Sequence, residues 1–254
     1  EGPIVQVGSA MGSSLGQILN LSDERIRNMV ACGAAAGIAA TFNAPIAGVI
    51  FSIEVLMSGL QVRAFGNVVI AAVSSSIVSR IFLGARPAFE VPDYTLVHPL
   101  SILLYLALGL MAALVGIMFI LMLDYSERIF DNWDFPQLLK PAVGALGLGV
   151  IGVTYTFIPG VGVSEAVREH IANPILQGIP NMYGSGFGFI DTAIQGHGGL
   201  WILLLLVFLK PLATSFTLGS GNSGGVFAPS LFIGAMLGGA MGHLFETWFP
   251  AISG

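Results

Sequence analysis

Polar residues along this chain come in short clusters separated by long stretches without a full charge. Met29–Ile53, Tyr94–Leu123, Pro141–Ser164, Thr192–Leu209 and Pro211–Phe245 contain no Asp, Glu, Lys or Arg. Each is near or beyond the ~20 apolar residues that a helix needs to cross a bilayer. Between the clusters the pattern predicts helices with definite ends. A short helix over Glu1–Gln17 carries Pro3 in its first turn, where no N–H is needed. Ser22 stands as N-cap of a helix running toward Thr41, and Asn43-Ala44-Pro45 interrupts before a further helix through Gly48–Met57. Helices follow over Val62–Leu83, Tyr94–Leu123 with a polar extension to Asp131, Lys140–Phe157 and Leu200–Leu218, and the run after Gly225 reads as a final short helix. Gly84–His98 reads as a loop between two halves, and Pro159–Gly188 as a long connection ending in the glycine-rich, flexible YGSGFGF. At 1.5 Å per residue the Tyr94–Leu123 run extends about 45 Å, more than a ~30 Å hydrocarbon core, which predicts a tilted or protruding helix.

Two of the predicted helices share one pattern. When Pro3 of EGPIVQVGSAMGSSLG is laid on Pro229 of VFAPSLFIGAMLGGAMG, an offset of 226 residues, Gly8, Gly12 and Gly16 fall on Gly234, Gly238 and Gly242. An internal repeat at opposite ends of the chain is the first feature that a fold must explain. The opening helix and the Gly48–Met57 segment are also too short to span a bilayer. Short apolar segments broken by Gly and Pro are how transporters bring helix ends to the membrane midplane. The small residues of ACGAAAGIAA, Ala31–Ala40, let membrane helices approach closely.

Composition agrees with a membrane solvent. Hydrophobic residues make up 55% of the chain and charged residues 9%, against about 25% charged in soluble domains. The net charge of −5 is spread thinly and forms no basic patch, so no nucleic-acid partner is expected. Apolar runs recur along the whole chain, unlike a signal peptide. Cys32 stands alone and reads as a small packing residue. The absent initiator methionine and a motif that begins at residue 1 predict a segment of a longer protein. The reading is an all-α, polytopic membrane protein of broken and tilted helices, with the Gly84–His98 loop between two halves, residues 1–83 and 99–254.

The candidate chemistry lies at helix starts. GSGNSGGVFAP, Gly219–Pro229, places glycine amides, including those of Gly224 and Gly225, before a helix N-terminus. Such an end carries a partial positive charge near +0.5 and N–H groups that the helix does not pair internally. In a membrane it would hold an anion without a full countercharge, which leaves the ion able to depart. Glu1 gains a reason from the repeat: a carboxylate at the mouth of the matching helix can occupy the anion's place and leave on protonation.

Three motifs, EGPIVQVG, GAAAGIAATFNAPIAGVIFSIEV and GSGNSGGVFAPSLFIG, in this order, closely resemble the CLC family of chloride channels and chloride/proton antiporters. The resemblance implies a homodimer in which each subunit has its own anion pathway and two inverted halves. It implies that Glu1 is the gating glutamate, with Gly2 and Pro3 completing its motif, and that the amides of Val226 and Phe227 contact the central anion. It also implies a serine-bearing loop upstream and a tyrosine-bearing helix downstream, neither present here. No cofactor and no metal is implied; chloride is the ligand, the bilayer the setting, and a prokaryotic plasma membrane the expected location. Retention of Pro3 implies chloride rather than fluoride selectivity.

One position departs from the coupled members. In Ser52-Ile53-Glu54-Val55, Val55 occupies the place of the internal proton glutamate, and Glu54 precedes it. Passive, channel-like chloride conduction is therefore the expectation, with chloride/proton antiport through Glu54 as the alternative. A third reading comes from another class: GNSGG resembles the nucleophile motif of rhomboid intramembrane proteases, with Ser223 as nucleophile and His243 as base. That pair would lie on one helix twenty residues apart, and the reading leaves Glu1 unexplained. Lys210, a cation inside an apolar span, is expected to snorkel or to pair with a carboxylate. The histidines, His98, His170, His197 and His243, lack metal-ligand spacing.

Overall fold

The computed structural model describes residues 2–57, 62–84, 89, 98–157 and 181–250. They form two compact units, Glu1–Glu90 and Val91–Gly254. In the first unit α1 (Gly2–Ile18), α2 (Asp23–Phe42), α3 (Pro45–Phe51) and α4 (Val62–Leu83) follow one another, with α3 continuing into a π-helical turn over Ser52–Leu56. The second holds α5 (Ser101–Asn132), α6 (Lys140–Thr156), α7 (Phe187–Ile194), α8 (Leu200–Gly219) and α9 (Phe227–Trp248). Among the described residues five helical stretches, in α4, α5, α6 with its preceding turn, α8 and α9, are long and apolar enough to cross a membrane.

Small residues build the first unit. A Cβ added at Gly8 would stand 2.2 Å from the Gly33 carbonyl oxygen, and one at Gly12 the same distance from that of Met29. The backbones of α1 and α2 therefore meet directly, as small residues permit in membrane helices. On its other side α2 receives α4: Ser75 Oγ donates to Ala36 O at 2.7 Å, and Ser79 Oγ to Ala40 O at 2.8 Å. Ala31, Ala35, Ala39, Val49, Val68 and Ala72 form the buried centre. Asn43 ends α2 in the left-handed conformation, φ 53, which Asn tolerates. Its Oδ1 accepts from Ser76 Oγ at 2.9 Å and from Arg80 Nε at 2.6 Å. The predicted break before Pro45 is thus locked to α4.

In the second unit α8 is central and packs against α5, α6 and α9. Leu203, Leu206 and Val207 are fully enclosed. Ser126 Oγ of α5 donates to Ser215 O at 2.8 Å, and Gly219 leaves it room, since a Cβ there would lie 2.3 Å from that hydroxyl oxygen.

Three expectations need correction. The helix after Gly225 is 22 residues long and membrane-length, not short, because Pro229 falls within its first turn and does not delay it. The connection ends at Gly186, where the unpredicted α7 begins; its eight residues give too short a pattern to separate from loop. YGSGFGF is not a loose tether either. Tyr183 Oη donates to Leu148 O, and a Cβ at Gly186 would stand 2.4 Å from Phe232 Cδ2. Ser22 occupies the N-cap of α2 as expected, without a side-chain capping bond. The start of the long helix is Ser101, and Tyr94–Val97 and most of the Pro159–Gly188 connection, with its charged residues and His170, lie outside the described residues.

Candidate functional site

The turn that leads into α9 is built by the sequence Gly219–Phe227. Helix α8 closes in a pair of reversed bonds, Asn222 N to Thr217 O at 3.0 Å and Gly221 N to Leu218 O at 2.9 Å. Gly221 adopts φ +86, which a residue with a side chain rarely takes. The chain then reverses through Asn222. Its Nδ2 donates to Pro141 O of α6 at 3.0 Å and to Ser220 Oγ at 3.1 Å, and Ser220 Oγ donates to Thr217 O at 3.1 Å. Gly144 of α6 is what admits Ser220, because a Cβ there would meet the hydroxyl at 2.1 Å. The turn is pinned to two helices before α9 starts.

Gly224, Gly225, Val226 and Phe227 come next, with Val226 as N-cap of α9. The first turn contributes few amides by construction: Pro229 has none, and Ser230 N already bonds Val226 O at 2.9 Å. Behind this head Ala228 and Pro229 are buried, whereas Val226 is 42% and Phe227 39% exposed. The helix end is anchored below and accessible above. Backbone dipoles aimed along α9 give it the electrostatic character of an anion seat.

In the first unit Gly2 is the first residue of α1 and is half-buried, while Glu1 lies outside the described residues. Glu54 sits in the π-helical turn Ser52–Leu56, closed by Met57 N to Ser52 O at 3.2 Å. The π-helical turn is wider than an α-helical one, and both Glu54 and Val55 lie on its exposed side, Val55 at 61%. Ser52, at the start of the turn, is 0% exposed, and its Oγ has no hydrogen-bond partner among the described residues.

The structure therefore brings Gly224, Gly225, Val226 and Phe227 together at one helix head and puts Gly2 and Glu54 on separate elements of the other unit. It does not pair Ser223 with His243. His243 Nε2 is 2.8 Å from Gly198 O, and His243 lies about 24 Å along α9 from Phe227. No group of three or more His, Cys, Asp or Glu able to hold a metal occurs among the described residues. Sequence reasoning missed Asn222 as the pin of the turn; an amide side chain between glycines before a helix was its one signal. Of the two expectations for Lys210, snorkelling is overturned: the residue is 2% exposed, and its Nζ donates to the carbonyls of Met182 and Gly184.

Comparison with known proteins bears on this geometry. The family model described as Voltage gated chloride channel matches residues 1–254. Chloride channel protein CLC-f of Arabidopsis thaliana is 32% identical over 95% of this chain and 30% of its own length. The H(+)/Cl(−) exchange transporter ClcA of Vibrio cholerae is 31% identical over 100% of this chain and 50% of its own. A crystal structure of a slow cyanobacterial Cl−/H+ antiporter matches with a TM-score of 0.79 at 27% identity, over 99% of this chain and 54% of that one. The chain thus spans about half the length, or less, of these relatives. With five membrane-length helices among its described residues it is an integral, multi-pass membrane protein of all-α fold. It belongs to the CLC family, whose model carries the description Voltage gated chloride channel.

Proposed function

We propose that the protein moves chloride across a membrane, with anion-binding backbone amides of Gly224, Gly225, Val226 and Phe227 at the head of α9 and of Gly2 at the head of α1. The observation that carries the reading is the pinned, glycine-built head of α9, exposed at Val226 and Phe227 above the buried Ala228 and Pro229. Neutral amides suit a carried ion, because they bind without the full charge that would trap it. Glu1 serves as gate: its carboxylate competes with chloride, and protonation withdraws it. The working protein is a homodimer whose subunits carry their own pathways, residues 1–83 and 99–254 belonging to two inverted halves, in a prokaryotic plasma membrane. Chloride is the cargo, and no cofactor enters the cycle. The rhomboid-like protease reading falls with the family assignment.

Passive conduction follows from Val55, which offers no proton to relay. Antiport is the second reading, and two relatives favour it, since ClcA and the cyanobacterial protein are named as exchangers. In that case Glu54, two residues from the buried Ser52, whose Oγ has no hydrogen-bond partner among the described residues, is the acid to examine.

The test uses the protein as its gene encodes it, in chloride-loaded vesicles followed by chloride and pH electrodes. Acid should raise the chloride flux, because protonation removes the competing carboxylate. Glu1→Gln should abolish most of that slope and hold the flux high. An unchanged slope would remove Glu1 from the gate. Proton movement against its gradient at a fixed ratio to chloride would replace the passive reading by antiport, and fluoride efflux without chloride efflux would overturn both.

A further inference from the structure

Lys210 is the charge that the sequence places least comfortably and the fold encloses most completely. It stands in α8 at 2% exposure, and its Nζ donates to Met182 O and to Gly184 O, both at 2.8 Å. The same nitrogen lies 5.0 Å from the ring centroid of Phe232, a residue of α9 that is 0% exposed. Carbonyls and an aromatic face suit an ammonium with three N–H groups inside a bilayer.

Each of these partners is itself held. Gly184, at φ +63, and Gly186, at φ +74, bend the strap that precedes α7, and Gly186 lies against the Phe232 ring. Phe232 also stacks on Phe189 of α7 at 6.2 Å between centroids. It is five residues into α9, about 7.5 Å along the axis from Phe227. A single buried cation therefore ties the strap, α8 and the first turns of α9 together.

We infer that Lys210 is a positioning residue for anion binding: by clamping Met182, Gly184 and Phe232 it sets the placement of the α9 head that carries Val226 and Phe227. This rests on the chloride reading above. A structural lysine would alter how much protein folds. A positioning lysine alters how tightly the folded protein holds its anion, since contacts below the helix head decide where the amides stand.

The experiment measures chloride flux against chloride concentration in vesicles, using Lys210→Met, Lys210→Arg and Phe232→Leu in the protein as its gene encodes it. Lys210→Met removes the bonds and the charge at similar length. It should raise the half-saturating chloride concentration at least tenfold, with maximal flux per folded molecule changed much less. Phe232→Leu keeps both carbonyl bonds and loses only the ring, so it should shift half-saturation in the same direction by severalfold, and it reports if Lys210→Met does not fold. Lys210→Arg, which restores a cation, should recover part of the loss. Half-saturation unchanged in the folded variants, with only the yield reduced, would overturn the inference and leave the chloride reading intact. An unmutated protein that passes no chloride in the same vesicles would overturn both.

Discussion

The two copies of the internal repeat, α1 and α9, have the same glycine spacing and bury opposite faces. In α1 the glycine stripe is inside: Gly12 and Gly16 are buried, and Gly8 meets the backbone of Gly33. In α9 the corresponding Gly234, Gly238 and Gly242 have nothing within 4 Å of a Cβ position. The other face reverses as well. Met236, Leu237 and Ala240 are buried in α9, whereas their counterparts Ala10, Met11 and Ser14 are exposed in α1. The cause is the neighbour. Helix α1 packs on the helix that follows it, α2, while α9 packs on helices that precede it, α5, α7 and α8. One pattern can thus serve two interfaces, because a glycine stripe permits a close contact but does not supply the helix that makes it.

The largest effect that would sharpen this comparison is expected at Gly8→Leu. Its side chain would be driven into the α2 backbone, and overpacking of this kind costs about 1–3 kcal/mol. The thermal unfolding midpoint in detergent should drop by several degrees, and an unmoved midpoint would mean that α1 and α2 do not meet there. Asn222→Ala should come next, at about 1 kcal/mol, through loss of the bond to Pro141 O that pins the α9 turn. It tests whether α9, unlike α1, depends on the loop that leads into it; a midpoint equal to that of the unmutated protein would answer no. Gly238→Ala should have the smallest effect and the opposite sign. With open space around it, alanine's better helix propensity should stabilise α9 by up to ~1 kcal/mol. A loss as large as that of Gly8→Leu would instead mean that a further helix covers the α9 stripe in the membrane.

Much of the architecture was legible because its signals are local. Val62–Leu83 was readable to the residue, since Arg63 and Arg80 stand near the two ends of its largely apolar stretch and Gly84 follows it. The α2–α3 break was readable because Asn43 and Pro45 each restrict the backbone at their own position. The head of α9 was legible for the same reason, as Gly221 and Pro229 act on the turn that contains them. Membrane residence followed from the length of the charge-free runs alone.

What escaped the sequence depends on partners far along the chain. The π-helical turn at Ser52–Leu56 has no distinctive residue in it. Helix α7 is held by Phe189 against Phe232, some forty positions away, and not by its own propensity. Lys210 reads as a cation that snorkels or pairs with a carboxylate, and only the fold shows it enclosed with the carbonyls of Met182 and Gly184 as partners. The sequence by itself determined the break at Asn43–Pro45, the end of α4 before Gly84, the head of α9 and residence in a membrane, because those are set by backbone restriction and by apolar length. Which face of each helix is inside, and where a buried charge finds its partners, was decided only by the tertiary structure. Close packing between helices is a property of the pair, and neither member encodes it alone.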